Sequence, residues 1–166
     1  MAASKNQKRD PGGKYVQRIS TIHQLVRPPG SEAVLASSLY DVAAIEAAFE
    51  HAFARESGLA LLMLSTADGR AVAQSSKLDA DSRRIAAMAN SFLTLGETVS
   101  RELKLSEADY ATICTRSGNV VLIRIAGSKP LTLTAVGRVE LNLAVLLFHA
   151  RECAQRMAPL LDTPAP

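Results

Sequence analysis

Gly58-Leu59-Ala60-Leu61-Leu62-Met63-Leu64-Ser65-Thr66-Ala67-Asp68-Gly69-Arg70 is the stretch on which the fold turns. Leu59 to Thr66 is apolar at both alternating sets of positions, which predicts a strand buried on both faces and therefore central in its sheet. Ala67-Asp68-Gly69-Arg70 carries the Asp-Gly pair of a tight turn between antiparallel neighbours. Ala71 to Ser76, small and polar, then reads as an edge strand.

Working outward, Val42, Ile45, Phe49 and Phe53 recur at helical spacing before this hairpin, with Asp41 or Ser38 as cap and Gly58 just past the end. After it, Asp79 or Asp81 caps a long helix running to about Leu103, whose expected buried stripe is Ile85, Met88, Ala89, Phe92, Val99 and Leu103. Three strands follow, Tyr110 to Arg116, Val120 to Ile125 and Leu131 to Val136, with turns at Ser117-Gly118-Asn119 and Gly127-Ser128-Lys129-Pro130. A last helix starts near Glu140 and keeps Leu143, Leu146, Leu147, Ala150, Cys153, Ala154 and Met157 on one face until Pro159.

The order α-β-β-α-β-β-β-α predicts an α+β sandwich, a five-stranded antiparallel sheet with helices on both faces. Short turns pair the first strand with the second, the third with the fourth and the fourth with the fifth. Pairing the first with the fifth buries the three most apolar strands and leaves the second and third at the edges.

A chain of 166 residues, 48% apolar, has room for one domain with a real core. That domain is expected over 37–160, after a basic tail at 1–36 and before a frayed end at 161–166 containing Pro164 and Pro166. Residues 1–30 hold Lys5, Lys8, Arg9, Lys14, Arg18 and Arg27 against Asp10, a net +5, so with a total of +3 the rest sums to −2. A basic arm with Pro11, Gly12, Gly13, Pro28, Pro29 and Gly30 can touch nucleic acid or acidic lipid, but a solvated arm ranks first. A short helix from about Val16 to Val26 is one further reading of it. The longest central apolar run, Leu59 to Leu64, is too short to span a bilayer, and no secretory signal pattern opens the chain, so a cytoplasmic location is expected. Cys114 and Cys153, without metal-ligand or CxxC spacing, read as reduced small apolar residues.

Catalytic signals are sparse. His23, His51 and His149 stand apart from any Ser, Cys or Asp at triad or metal-site spacing. Neither GxxxxGK[ST] nor GxGxxG occurs. Asp79 and Asp81 are better read as helix caps than as paired carboxylates, and 4% aromatics with no Trp argues against base stacking. The expectation is no enzyme and no catalytic, cofactor or metal residues.

Partner signals are richer. Between Arg84 and Glu97 the long helix has no charged residue, unlike an ordinary surface helix. At about 100° per residue, Ala87, Asn90, Ser91, Thr94 and Thr98 fall opposite the expected buried stripe, a small, uncharged face suited to a dimer seam or a partner. Gly96 falls near that stripe, so close packing on the sheet is its expected reason. The third strand, with Tyr110, Thr112, Cys114 and Arg116 on one side, has an edge without proline or glycine that can template pairing with a second copy. Arg70, Arg83 and Arg84 invite comparison with an arginine finger, although solvated surface charge ranks first. Arg83 and Arg84 lie where a helix dipole disfavours cations, which leans toward use by a partner.

The apolar strand, the Asp-Gly hairpin, the capped long helix, three strands and a closing helix containing Asn142-Leu143 together resemble the roadblock/dynein light chain family, over roughly residues 40–158. The likeness is to the bacterial gliding-motility branch that regulates GTPases. It implies a profilin-like sandwich and a homodimer in which third strands pair edge to edge and the long helices lie side by side. It also implies binding of a small Ras-like GTPase, as regulator or scaffold, with stimulation of GTP hydrolysis one form of that role and no inserted arginine finger. On this basis Tyr110, Thr112, Cys114, Ala87, Ser91 and Thr94 are the expected dimer interface, and Arg83, Arg84, Asn90, Thr98 and Arg101 the expected partner-binding set. The alternative is a ligand-sensing or purely structural dimerisation module whose basic tail contacts acidic surfaces.

Overall fold

The computed structural model describes residues 39–127 and 129–161. Its elements are α1 (Val42–Arg55), β1 (Leu59–Thr66), β2 (Ala71–Ser76), α2 (Ser82–Glu102), β3 (Tyr110–Thr115), β4 (Gly118–Ile125), β5 (Leu131–Arg138) and α3 (Leu143–Leu161). The element order is the expected one, and the strands form one antiparallel sheet in the order β2-β1-β5-β4-β3. The tail at 1–36, its Val16–Val26 helix reading and all of the C-terminal end beyond Leu161 lie outside the described residues.

Burial explains the strand order. From Leu59 to Ser65 every β1 residue is buried, as is β5 from Leu131 to Ala135. Only a place between two other strands, with helices above and below, satisfies both faces and both backbone edges of such segments.

Residues directly opposite one another on paired strands share a face. The rows Leu62–Ala135–Val121–Thr112 and Leu64–Leu133–Ile123–Tyr110 look toward α1 and α3. There they meet Ile45, Phe49, Leu146, Ala150 and Met157 in the main core. Fully burying one such side chain contributes about 1.5–3 kcal/mol. The rows Leu61–Val136–Val120–Ile113 and Met63–Thr134–Leu122–Ala111, followed by Ser65–Thr132–Arg124, look the other way, toward α2 alone.

Local chemistry sets the boundaries. Asp41 caps α1, its carboxylate accepting from Ala44 N at 3.0 Å, and Asp81 caps α2, accepting from Arg83 N and Arg84 N at 3.0 and 3.3 Å. Asn142 accepts from Ala144 N at 2.7 Å, so α3 starts at Leu143 and not near Glu140. It also runs through Pro159 to Leu161, because proline's fixed φ is helical and a final turn loses little with one N–H.

The β3–β4 turn is tighter than expected, with β4 starting at Gly118. Gly118 has φ +150°, and a Cβ there would sit 2.4 Å from the Gly137 carbonyl oxygen, so only glycine allows this close approach between β4 and β5.

Of the two cysteines, Cys114 is exposed on β3, contrary to a core role, whereas Cys153 is buried. Burial pushes the Cys153 thiol up to about 12. Iodoacetamide at mildly alkaline pH is therefore expected to leave Cys153 unmodified in the folded chain and to alkylate it in denaturant; labelling of Cys153 under native conditions, read by peptide mass spectrometry, would contradict this placement.

Candidate functional site

The side of the sheet covered by α2 is where apolar surface is left open. The helix turns Ser82, Ala86, Ala89, Asn90 and Leu93 inward. Apart from Leu93 these are small or polar, so the helix contributes little apolar volume, and the cluster beneath it is limited to Leu61, Met63 and Ala86 with Ala71, Ala80, Ile85 and Val136 at its margin.

Hydrogen bonds supply the rest of the attachment. Asn90 Nδ2 donates to Ser65 Oγ at 2.8 Å and to the Ala86 carbonyl at 2.9 Å. Its Oδ1 accepts from Thr132 Oγ1 at 2.7 Å and from Arg124 Nη1 at 3.3 Å. Arg124 also donates to Thr132 Oγ1 at 2.8 Å and holds Glu97 of α2 through Nε and Nη2, each at 3.1 Å. One network thus ties the helix to β1, β5 and β4. A buried polar group in such a network fixes geometry, because leaving it unpaired costs about 1–3 kcal/mol.

The consequence is a correction to the expected orientation of α2. Of the residues expected in its buried stripe, Ala89 is buried and Ile85 half-buried, but Met88, Phe92, Val99 and Leu103 are exposed at 58%, 40%, 50% and 64%, and Leu95 joins them at 61%. At 100° per residue, the buried face is turned by about a quarter turn from the expected one.

Gly96 is corrected too: a Cβ at that position would meet nothing within 4 Å, so packing on the sheet is not its reason. It lies instead beside Phe92 and Val99, one turn away on either side, where absence of a side chain leaves the backbone approachable.

The expected site residues are distributed as follows. Asn90, expected on a partner-binding face, is 4% exposed and occupied by the network, so it is not a contact residue. Ala87, Ser91, Thr94 and Thr98 are exposed, although the Ser91 and Thr98 hydroxyls bond back to the Ala87 and Thr94 carbonyls at 2.9 Å. Arg83, Arg84 and Arg101 are exposed along the helix. On β3, Tyr110 and Cys114 are exposed and Thr112 is half-buried; Arg151 lies over the Tyr110 ring at 4.9 Å. Tyr110 and Thr112 therefore look toward α3, while Ile113, 38% exposed, lies on the α2 side. Arg70 is held by Asp68 at 3.0 Å in the hairpin turn.

Among the described residues no group of three or more His, Cys, Asp or Glu could hold a metal ion, and no helix is long and apolar enough to cross a membrane.

No protein-family model matches the sequence, nor does any of the curated proteins compared with it. Solved structures do. Myxococcus xanthus MglB superposes with a TM-score of 0.63 at 10% identity, over 72% of this chain and 88% of its own. A Roadblock/LC7 domain from Streptomyces avermitilis gives 0.60 at 17%, over 68% and 92%. The chain has the roadblock fold. A second solved MglB, one with a tetrameric arrangement, gives 0.63 at 16% identity, over 72% and 89%.

The roadblock fold places α2 alone on one side of the sheet and β3 at its border, as the order β2-β1-β5-β4-β3 records. What sequence reasoning missed is the polar network. Its signal was the row of Ser65, Thr132 and Arg124 on inward-facing strand positions, which only a polar helix residue can satisfy.

Proposed function

We propose that the protein is a cytoplasmic, homodimeric, non-catalytic regulator or scaffold that binds a small Ras-like GTPase. The observation that carries this reading is the exposed, uncharged stripe Met88, Phe92, Leu95 and Val99 on the single helix covering one side of a roadblock sheet. A monomer has no reason to leave four large apolar side chains in water on one face, whereas a second copy covers them. Gly96 within the stripe lets two helices approach closely. The open β3 edge at Tyr110, Thr112 and Cys114 extends the same seam, with Ala87, Ser91 and Thr94 beside it.

A stable dimer buries on the order of 1,200–2,000 Å² in total, which the helix face and a strand edge together can supply. Assembly of copies also has a parallel in the tetrameric arrangement of one MglB of the same fold. For the GTPase, the support is the family resemblance and the basic residues Arg83, Arg84 and Arg101, with Thr98, bordering the helix.

Two measurements test the reading. Light scattering of the purified protein is expected to give twice the chain mass. Pull-down with the organism's Ras-like GTPases, loaded with GDP or a GTP analogue, is expected to retain at least one, and hydrolysis rates then separate stimulation from scaffolding. A monomer at working concentration, or failure of every GTPase to bind, would overturn the corresponding half.

A further inference from the structure

The side of the sheet away from α2 carries an exposed helix line with a chemistry of its own. α3 turns Leu146, Ala150, Cys153, Ala154 and Met157 inward, and at 100° per residue the line opposite them is Ala144, Phe148, Arg151 and Gln155. All four are exposed, Phe148 at 59%. They edge an open hollow of about 390 Å³ that Leu147 and Glu152 also line. A single exposed phenylalanine means little. This one, however, stands three residues from Arg151, whose guanidinium lies over the Tyr110 ring at 4.9 Å while remaining exposed. Glu152 beside it is already held by Arg55 at 2.6 Å and Arg156 at 3.3 Å, so Arg151 is the charge this line offers.

Both halves of an aromatic–guanidinium contact thus sit on one helix line, and this selects a second copy as its occupant. About a two-fold axis residue i meets j and j meets i, so one patch must hold both complements. Antiparallel α3 helices related by an axis between His149 and Ala150 set Phe148 of each copy against Arg151 of the other, and Ala144 against Gln155. The four-three-four spacing of the line is the one with which paired helices face each other. Each guanidinium is then stacked between its own Tyr110 and the other copy's Phe148. A basic partner is repelled by Arg151 and an acidic one leaves Phe148 unused, whereas a second copy uses both groups.

We propose that α3 is a second self-association surface, through which copies of this chain join by reciprocal Phe148–Arg151 stacking. The contact is small. Its line is only about 17 Å long, so it falls below the roughly 1,200 Å² of stable interfaces, and a dissociation constant on the order of 10⁻⁴ to 10⁻³ M is expected. It uses neither α2 nor the backbone edge of β3. Where the unit is the homodimer, the α3 contact joins dimers into larger assemblies; where the unit is a monomer, it joins monomers. Failure of the one contact is therefore distinguishable from failure of the other.

The test is sedimentation equilibrium of the full chain from about 10 µM to about 1 mM, with circular dichroism as a folding control. The mass at the dilute end reports the homodimer, and its rise with concentration reports α3. Phe148→Lys and Arg151→Asp should each weaken the contact at least about tenfold, which suppresses the rise and leaves the dilute mass unchanged. Mixed in equal amounts, the two variants should regain part of the rise. One junction then keeps Arg151 against Phe148, and the other sets the introduced lysine against the introduced aspartate. Phe92→Asp/Leu95→Asp should lower the dilute mass and keep a rise that Phe148→Lys removes. A wild-type mass constant over the range would overturn the proposal. So would a rise that survives Phe148→Lys, or single variants whose mixture stays at the dilute mass.

Discussion

Phe92→Asp and Leu95→Asp, introduced together, are expected to leave the chain folded and to make it monomeric. Both side chains are exposed in the single protomer, at 40% and 61%, and neither belongs to a core cluster, so the folding cost is small: the helix propensity of aspartate, on the order of 0.5 kcal/mol per site, and the partial contacts of Phe92. In the dimer each residue occurs twice across the seam. Every buried Phe or Leu contributes up to about 1.5–3 kcal/mol there, and each aspartate puts a charge where its counterpart also sits. The dissociation constant should therefore rise by at least roughly a hundredfold, about 2.7 kcal/mol. Sedimentation or light scattering reads the mass, and circular dichroism reads the fold. Thr94→Asp, on the neighbouring polar arc of α2, is the informative control. If it dissociates the dimer and the Phe92/Leu95 pair does not, the seam runs along Ala87, Ser91 and Thr94, and the apolar stripe serves something else.

The sheet was legible in the sequence because its information is local and redundant. Leu59 to Leu64 is apolar on both faces, Asp68-Gly69 fixes the hairpin, and the remaining turns leave one economical place for β1, against β5. The orientation of α2 was not legible for a physical reason. The helix carries two apolar arcs, a large one at Met88, Phe92, Leu95 and Val99 and a small one at Ala86, Ala89 and Leu93. Weighting by size turns the large arc inward. The sheet beneath, however, presents Ser65, Thr132 and Arg124, so the helix offers Asn90 and Glu97 to them and leaves the large arc outside. An asparagine in mid-helix reads as surface by default. Only its pairing with inward-facing polar strand residues identifies it as buried, and that pairing is long-range. The same turn bears on the proposed contact surface: it brings Met88, Phe92, Leu95 and Val99 outside and takes Asn90 inside.

Asn90→Leu is the substitution that separates these two orientations. Leucine shares the branched four-heavy-atom outline of asparagine and is a better helix former, so propensity and shape both predict a stable variant. The network predicts the opposite. Without the amide, Ser65 Oγ loses its donor and the Thr132 hydroxyl its acceptor at 2.7 Å, and one Arg124 N–H is left without Oδ1. Ser65 and Thr132 are fully buried, so water cannot replace these bonds. At about 1–3 kcal/mol for each unsatisfied buried group, with Arg124 retaining Glu97 and Thr132, a loss of about 2–4 kcal/mol is expected. The urea midpoint should fall accordingly while the slope stays constant. Adding Ser65→Ala should recover part of the loss, since removing both partners of the buried Asn90–Ser65 hydrogen bond costs less than removing one, and the two changes should couple by on the order of 1 kcal/mol. A second readout follows from geometry. With nothing polar holding α2 in register, its large apolar arc can turn toward the sheet, so Asn90→Leu should also weaken dimerisation although Asn90 touches no partner. A variant as stable and as dimeric as the wild type would mean that apolar packing alone orients α2, and the exposed stripe would then need a different cause.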